Sequence, residues 1–204
     1  MLKRAFDILV ASIGLLLLSP LFIVVFILVK LDSPGPGSYR ARRVGKDGRV
    51  FRMYKFRTMV ADADKRGSIV TYRGDLRITR IGARLRQKRL DELPQLINVF
   101  KGEMSLVGPR PESPEYVTRY TSEQREILKV KPGITGPMQI VFLDEEENLS
   151  NPDTLDDEYM NVILPLKLAV EMEYMRKQSL GYDFQILAQT AKVLLLDNTN
   201  HQKA

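Results

Sequence analysis

The feature that most constrains this chain is an apolar stretch of 22 residues without a charge, from 8 to 29. As an α-helix with a rise of 1.5 Å per residue it would be about 33 Å long, which is enough to cross the hydrocarbon core of a bilayer. The stretch is longer than the apolar part of a secretory signal, and no small-residue cleavage site precedes Lys30. The sequence therefore predicts a membrane helix.

Ser19 and Pro20 stand near the middle of this helix. Because proline cannot donate a backbone hydrogen bond, we expect a break or kink there, with the Ser19 hydroxyl serving the freed carbonyl groups. Lys and Arg flank both ends of the stretch, and such residues favour the cytoplasmic side. Two topologies remain open: a kinked single span, and a helix-break-helix hairpin that enters and leaves the same leaflet.

Composition excludes several kinds of active site. The chain has no Cys, and its one His, His201, lies close to the C-terminus. Disulfides, thiolate nucleophiles, zinc fingers and Ser-His-Asp triads are therefore excluded. Any catalytic acid, base or nucleophile must come from carboxylates, Lys, Tyr or hydroxyl groups.

Charge is shared unevenly between the two halves of the chain. Residues 1–110 carry 22 Lys and Arg against 9 Asp and Glu, a net charge of +13, whereas residues 111–204 carry 9 against 16, a net charge of −7. A basic half beside an apolar helix indicates an anionic membrane surface, phosphorylated substrates, or both. Nucleic acid is the competing partner, but the sequence has no helix-turn-helix, zinc-finger or RNA-binding aromatic signature, so we expect none.

Two short strands are predicted after the turn-rich segment 32–37, which ends the membrane unit. They cover residues 38–43 and 49–57, and a Gly-Lys-Asp-Gly turn joins them as a β-hairpin. Lys55 and Arg57 alternate onto one face of the second strand, where they could reach one phosphate together. Two solvated charges on a hairpin are the plainer interpretation.

Thr79 is predicted to cap a short helix that ends near Lys88. Arg80, Arg84 and Lys88 recur every four residues and so share one face, which could point at lipid headgroups or simply at solvent. Arg86 projects elsewhere, and it is the better candidate for a substrate site.

Asp91 and Glu92 are adjacent carboxylates at the start of an apolar segment that ends at Gly102. Pro94 suits the first turn of a helix, so the segment is predicted to be helical over about ten residues. One interpretation is structural: Asp91 caps the helix and Glu92 answers its dipole. The other is chemical, because a carboxylate among cations can attack phosphorus or hold Mg2+ while guanidinium groups neutralise phosphate oxygens.

The rest of the chain is predicted to be mainly helical, so the fold class is α+β and mostly helical. Six further helices are expected: two short ones capped by Ser113 and Thr121, and four at 59–65, 153–164, 165–177 and 183–196. The last has an apolar face of Phe184, Leu187, Ala191, Leu194 and Leu195. The acidic run 144–147 is expected to be a solvated loop, and the glycines of the rigid loop 131–137 would let a backbone approach a ligand closely.

Five segments occur in the order and at the spacing of one protein family. They are Ser19-Pro20, Asp-Ser-Pro-Gly-Pro at 32–36, Tyr-Lys-Phe-Arg-Thr-Met at 54–59, Leu-Asp-Glu-Leu-Pro-Gln at 90–95 running to Gly-Pro-Arg-Pro at 108–111, and Lys-Pro-Gly-Ile-Thr-Gly at 131–136. Together they resemble the bacterial sugar transferase family, the monotopic polyprenyl-phosphate phosphoglycosyl transferases, across residues 1–140. The departures from the family pattern, at 37–39 and 137–140, lie outside the carboxylate pair.

This resemblance implies an enzyme that transfers a sugar 1-phosphate from a UDP-sugar to undecaprenyl phosphate, giving UMP and a polyprenyl diphosphate sugar, with Mg2+ as cofactor. It implies that Asp91 attacks the phosphate bearing the sugar and forms a covalent phosphosugar, which the polyprenyl phosphate then displaces. Glu92 would deprotonate the acceptor or assist the metal, for which Asp91 is the expected ligand. The cations expected to bind the diphosphate or uridine are Lys55, Arg57, Arg86 and Arg110; for the first three, binding of lipid headgroups is the alternative.

The resemblance also implies a minimal family member with a re-entrant helix, broken at Ser19-Pro20, as its membrane unit at 1–32. A compact helical catalytic domain with a small β-hairpin, at 33–204, would lie on the cytoplasmic face of the bacterial inner membrane. The reaction would be the first membrane step of surface glycan or glycoconjugate synthesis. The rival is a non-catalytic basic peripheral membrane protein, and homo-oligomerisation is left open.

Overall fold

The computed structural model describes residues 1–72, 74–142 and 154–200, with side chains up to residue 194. It begins with helix α1, Leu2–Asp32, which contains the whole predicted membrane stretch. One face of α1 is apolar and exposed, with Leu16, Leu17 and Ile23 among its side chains. By length and composition, α1 could cross a membrane, as the sequence predicts.

α1 runs as one α-helix across Pro20. The carbonyl group that Pro20 leaves without its helical donor is that of Leu16, four residues earlier. The Ser19 hydroxyl donates to this carbonyl oxygen at 2.8 Å. The expected hydrogen bond from Ser19 to the unpaired backbone carbonyl is therefore confirmed, and it explains how the helix continues through a proline.

The other face of α1 packs against the rest of the protein. Ala11 is fully buried in a cluster that includes Leu96 and Val99. Further along the helix, Val29 lies in a second cluster with Phe56. The helix therefore contributes to the core of the protein, while its outer face is apolar and exposed.

Polar contacts fix the N-terminal end of α1 to the rest of the protein. The Arg4 guanidinium donates to the carbonyl oxygen of Val99 at 2.6 Å. The buried Asp7 carboxylate accepts hydrogen bonds from the Ser105 hydroxyl at 2.9 Å and from the Leu106 N–H at 3.0 Å.

The C-terminal end of α1 is also fixed to the rest of the protein. The Asp32 carboxylate accepts a hydrogen bond from the Ile81 N–H at 2.9 Å. The Arg57 guanidinium donates to the carbonyl oxygens of Ser33 at 2.7 Å and Val29 at 3.3 Å. One domain thus binds both ends of the apolar helix.

The predicted hairpin is present. Strands β1, Ser38–Val44, and β2, Val50–Phe56, pair in antiparallel fashion, and their turn contains a short 3-10 helix, Lys46–Gly48. Ala41 pairs with Met53, and both side chains are buried. Since side chains alternate along a strand, Lys55 lies on the same inward face as these two residues.

Helix α2, Arg80–Gln87, begins as predicted at Thr79, whose hydroxyl accepts the Gly82 N–H at 3.0 Å. Its predicted cationic face is exposed. The predicted helix at 59–65 is reduced to a 3-10 helix, Ala63–Lys65, because the segment before it forms a β-bridge to the residues leading into α2.

The segment that carries the adjacent carboxylates is helical, but in two parts. It begins as a 3-10 helix, Leu90–Gln95, and runs directly into α3, Leu96–Lys101. α3 ends at Gly102, which adopts φ of 86°, a conformation that glycine reaches without strain. The predicted helix is therefore confirmed, with a tighter first half.

Strand β3, Ser105–Val107, pairs in parallel with β4, Gly133–Thr135. Where these strands meet the following loop, the two backbones come so close that a Cβ on Gly133 would lie 2.1 Å from the Gly108 nitrogen. The glycines of the loop 131–137 therefore serve the approach of another backbone, where the sequence suggested a ligand.

The remaining described elements are helical. They are α4, Pro114–Val117; a 3-10 helix, Gln124–Lys129; α5, Pro137–Val141; α6, Leu155–Glu158; a π-helical turn, Tyr159–Ile163; α7, Leu164–Lys177; and α8, Leu180–Asn200. The two helices predicted at 153–164 and 165–177 form one continuous helical segment, because the π turn joins α6 directly to α7. Pro165 lies in the first turn of α7, where a proline is tolerated. The predicted acidic loop 144–147 lies outside the described residues.

The predicted apolar face of α8 is buried only in part: Leu187 packs against the core cluster that contains Ile186. Phe184 and Leu194 are 52% and 37% exposed, whereas Ile186 is buried. Asp183 on α8 is buried, where its carboxylate accepts the Tyr174 hydroxyl at 2.7 Å and forms an ion pair with Lys3 on α1. A buried charge that needs its partner outweighs the preference of two apolar side chains for the interior.

Candidate functional site

Glu92 is the centre of a cluster of ionisable side chains. Its Oε1 accepts hydrogen bonds from Lys55 Nζ at 2.7 Å and from Arg110 Nη2 at 2.6 Å, and Arg110 Nη1 lies 3.3 Å from Oε2. Glu92 is only 8% exposed. Because charged hydrogen bonds are strong where water is excluded, the carboxylate fixes both cations in place.

Three elements bring this cluster together. β2 supplies Lys55, the 3-10 helix after α2 supplies Glu92, and the turn after β3 supplies Arg110. Arg89 adopts φ of 55° just before the 3-10 helix, which reverses the chain after α2. The backbone N–H of Arg110 donates to the carboxyl of Glu171 on α7 at 3.0 Å.

Asp91 is buried beside Glu92 but has a different environment. Lys55, Arg86 and Arg110 act on its carboxylate through their charges, and no described residue donates a hydrogen bond to it. The side chain is thus surrounded by positive charge without being tied to any one cation. This is the state in which a carboxylate can form a new bond or bind a metal ion.

The two carboxylates differ in proton affinity. Burial raises the pKa of Asp91, against the attraction of Lys55. Burial alone would also raise the pKa of Glu92, but Arg110 and Lys55 hold it well below its ordinary value. Neighbouring carboxylates whose pKa values are driven apart are typical of sites where each has its own role.

The structural interpretation of this pair, as a helix cap, does not account for it. Arg89 occupies the position before the 3-10 helix, and no side-chain hydrogen bond caps this end. The Glu92 oxygens are engaged by Lys55 and Arg110 instead. The carboxylates are therefore held by tertiary contacts and not by the local need of a helix end.

The structure separates the other two predicted cations. Arg86 on α2 lies near Asp91, and its guanidinium is 3.4 Å from the Thr58 hydroxyl. Arg57 instead holds the end of α1, as described above. Arg57 lies just beyond the last residue of β2, so the alternation that would align it with Lys55 does not extend to it. The structure does not bring these two side chains together, and a substrate contact of Arg57 stays a prediction.

A metal ion would need the substrate as well as the protein. The described residues contain no group of three or more His, Asp and Glu side chains that could hold a metal ion. Both oxygens of Glu92 have cationic partners, which leaves Asp91 as the available carboxylate. Mg2+ often binds through one or two carboxylates together with substrate phosphates and water, so the residues present fit it on those terms.

Two buried polar residues near the site were missed in the sequence. The Glu171 carboxyl accepts a hydrogen bond from the backbone N–H of Arg110. The side chain of Asn98 on α3 accepts a hydrogen bond from the backbone N–H of Tyr54 on β2 at 3.0 Å. Each stands among apolar residues on a helix, and a lone polar residue in such a setting is the signal that could have found them.

Comparison with known proteins identifies relatives of this chain. The chain is 39% identical over 199 residues to a UDP-N-acetylgalactosamine-undecaprenyl-phosphate N-acetylgalactosaminephosphotransferase of Aeromonas hydrophila, a match that covers 95% of this chain and 44% of that protein. It is 40% identical over 195 residues to the UDP-glucose:undecaprenyl-phosphate glucose-1-phosphate transferase of Escherichia coli strain K12, covering 92% and 39%. It is 35% identical over 216 residues to the exopolysaccharide production protein ExoY of Rhizobium meliloti strain 1021, covering 98% and 88%.

The chain thus spans less than half the length of the first two relatives and most of the third. The family model described as bacterial sugar transferase matches residues 1–197. This match includes α1, the hairpin, the adjacent carboxylates and the C-terminal helices, so it rests on the whole described fold and not on one motif. The chain belongs to the bacterial sugar transferase family.

Proposed function

We propose that this protein transfers a sugar 1-phosphate from a UDP-sugar to undecaprenyl phosphate and releases UMP. Two of its relatives are named for transfers of this kind. The observation that carries the proposal is the contrast within the carboxylate pair. Asp91 is buried among cations without a hydrogen bond from a described residue, while Glu92 is held between Lys55 and Arg110.

In the first step, an Asp91 oxygen attacks the phosphorus that bears the sugar. A bond forms between this oxygen and phosphorus, and the bond from phosphorus to the bridging oxygen breaks. The bridging oxygen leaves with the electron pair on UMP. The cations Lys55, Arg86 and Arg110 compensate the charge of the phosphate oxygens during this exchange.

In the second step, a phosphate oxygen of undecaprenyl phosphate attacks the same phosphorus. The bond to Asp91 breaks, the carboxylate is regenerated, and the product is a polyprenyl diphosphate sugar. A carboxylate whose pKa lies well below its ordinary value is a weak base. We therefore assign Glu92 to holding Lys55 and Arg110 in place, in preference to deprotonating the acceptor.

Asp91 is the residue that would hold Mg2+, together with phosphate oxygens of the substrates. When bound, Mg2+ supplies further neutralisation of phosphate charge.

We propose that the membrane helix has both of its ends on the same side of the membrane, as in a re-entrant topology, although α1 is one helix across Pro20 and is not divided into two there. Arg4 and Asp7 at one end of α1, and Asp32 at the other, all bind the domain formed by residues 33–204. A single span would separate the two ends by a hydrocarbon core of about 30 Å, which is difficult to reconcile with both sets of contacts. The basic residues at both ends favour the cytoplasmic face of the bacterial inner membrane for this domain.

The decisive experiment measures UMP release by the purified protein with undecaprenyl phosphate and a panel of UDP-sugars. Asp91→Asn should abolish release and leave membrane association intact. With a donor that the enzyme uses, mass spectrometry of the reaction quenched before completion should find a sugar-phosphate adduct on Asp91. Undiminished turnover in the variant, or a reaction that never yields the adduct, would reject the mechanism.

The second candidate is a non-catalytic protein that binds anionic lipid. The exposed cationic face of α2, formed by Arg80, Arg84 and Lys88, favours it. This candidate predicts no UMP release with any donor, and vesicle binding that weakens when these three residues are neutralised.

A further inference from the structure

β2 has a free edge that faces α3. The hairpin has two strands, so among the described residues the edge of β2 away from β1 has no strand to pair with. The carbonyl oxygen of Arg52 and the N–H of Tyr54 lie on this edge. Both are taken by one side chain, that of Asn98 on α3.

The amide of Asn98 replaces a third strand at this edge. Its Oδ1 accepts the Tyr54 N–H at 3.0 Å, and its Nδ2 donates to the Arg52 carbonyl oxygen at 2.8 Å. The other Nδ2 proton goes to Glu103 Oε2 at 2.8 Å, and Asn98 is 0% exposed. The three contacts together need one side chain that accepts one hydrogen bond and donates two, which an amide of this size supplies.

The Asn98 contact joins the two elements that form the candidate site. Lys55 directly follows Tyr54 on β2, and Glu92 lies in the 3-10 helix that runs without interruption into α3. The Asn98 amide therefore fixes the strand that bears the cation to the helix that bears the carboxylates. The bond it controls is the one between Lys55 Nζ and Glu92 Oε1, at 2.7 Å.

We propose that Asn98 is a positioning residue for the sugar-phosphate transfer, which acts by fixing β2 to α3 so that Lys55 meets Glu92. It touches no substrate itself. The kinetic part of this inference rests on the proposed function, whereas the structural part does not. Since a misplacement of about 1 Å can cost about 100-fold in rate, Asn98→Ser should lower kcat for UMP release by about 10- to 100-fold.

A double-mutant cycle separates positioning from general stability. UMP release is measured in single turnovers for the wild-type protein, Asn98→Ser, Lys55→Met and the double variant. If Asn98 acts through Lys55, its substitution should cost less than about 3-fold once Lys55 is absent. Losses that multiply independently would overturn the proposal. Asn161→Ser, at an exposed position of the π turn, is the matched control and should leave the rate unchanged.

Hydrogen exchange tests the structural part without any activity. The Tyr54 amide should be protected in the wild-type protein even though it lies on a free strand edge, and Asn98→Ser should expose it while the Met53 and Lys55 amides stay protected. A Tyr54 amide that exchanges freely in the wild-type protein would overturn the proposal. This result does not depend on whether the variant folds. Absence of UMP release by the wild-type protein would instead reject the proposed function, and the exchange result would still decide the role of Asn98.

Discussion

Asp91 and Glu92 are adjacent in the chain but meet different surroundings. Successive residues of a 3-10 helix point about 120° apart, so only one of the pair can face the gap between Lys55 and Arg110. Glu92 takes that position and loses basicity, while Asp91 keeps its carboxylate available. The division of roles between the two residues follows from this geometry.

Arg110 should not tolerate replacement by lysine. Its guanidinium contacts both oxygens of Glu92, and an ammonium group cannot reproduce this two-point contact. We expect Arg110→Lys to lower kcat/KM for UMP release by about 10-fold or more, because the variant loses one charged hydrogen bond to Glu92. Arg119→Lys, at an exposed position, is the control. Equal activity of both variants would contradict the role given to Arg110.

Glu171 should make the stability of the protein depend on pH. Burial raises its pKa to about 7, whereas an unfolded chain has a value of about 4.3. Stability from such a carboxyl is full below the unfolded value and is lost as pH rises through about 7. Glu171→Gln keeps an acceptor for the Arg110 N–H and cannot ionise.

The free energy of unfolding of Glu171→Gln, relative to wild type, should therefore increase between about pH 5 and about pH 8, by up to about 3 kcal/mol. Denaturant titrations at the two pH values measure it. A difference that is the same at both would show that Glu171 does not titrate as the structure implies.

At the scale of elements, α2 approaches β2 through a glycine. A Cβ on Gly82 would lie 2.0 Å from the carbonyl oxygen of Thr58, which directly follows Arg57 after the end of β2. Such a contact cannot be relieved by a rotamer change, because the obstructing atom belongs to the backbone. The small residue is therefore required for α2, with Arg86, to lie against the segment after β2.

Gly82→Ala should destabilise the protein by at least the usual cost of an overpacked contact, which is about 1–3 kcal/mol. Gly181→Ala is the matched control, because nothing lies within 4 Å of the added Cβ and alanine favours a helix. We expect the melting temperature to fall for the first variant and to hold or rise for the second. Similar melting temperatures would show that α2 can move away from the Thr58 backbone at little cost.

At the scale of the whole molecule, α1 has an exposed apolar face and also contributes to the core. Its outer face is lipid-like, while its inner face and both ends are held by the domain that carries the carboxylate pair. Insertion of this helix into a bilayer would therefore fix the height of the candidate site above the membrane. A lipid-linked acceptor would meet a site at constant depth.

The topology can be tested with single cysteines, since the chain has none of its own. Cysteines placed at exposed positions near the two ends, Leu2 and Lys192, should both resist a membrane-impermeant maleimide in spheroplasts and react in inverted vesicles. This result follows if both ends of α1 lie on the cytoplasmic side. Labelling of position 2 in spheroplasts would establish a single span instead.

Local features of this fold were predictable, and long-range ones were not. The hairpin, the Thr79 cap and the end of α3 at Gly102 each depend on residues a few positions apart, and each was predicted. The apolar face of α8 was predicted only in part, because Asp183 is buried on the same helix by its contacts with Tyr174 and Lys3 on two other helices. The pattern of apolar residues along α8 contains no information about those partners.

The sequence by itself determined the long apolar helix, the family and the carboxylate pair, because these depend on composition and on spacing along the chain. Tertiary structure decided which cation meets which carboxylate: Lys55 and Arg110 bind Glu92, whereas Arg57 holds the end of α1. It also decided that Asn98 and Glu171 support the site. The physical reason is that a charge or a buried amide is satisfied by whatever packing brings within about 3 Å, and that distance is set by the fold of the whole chain.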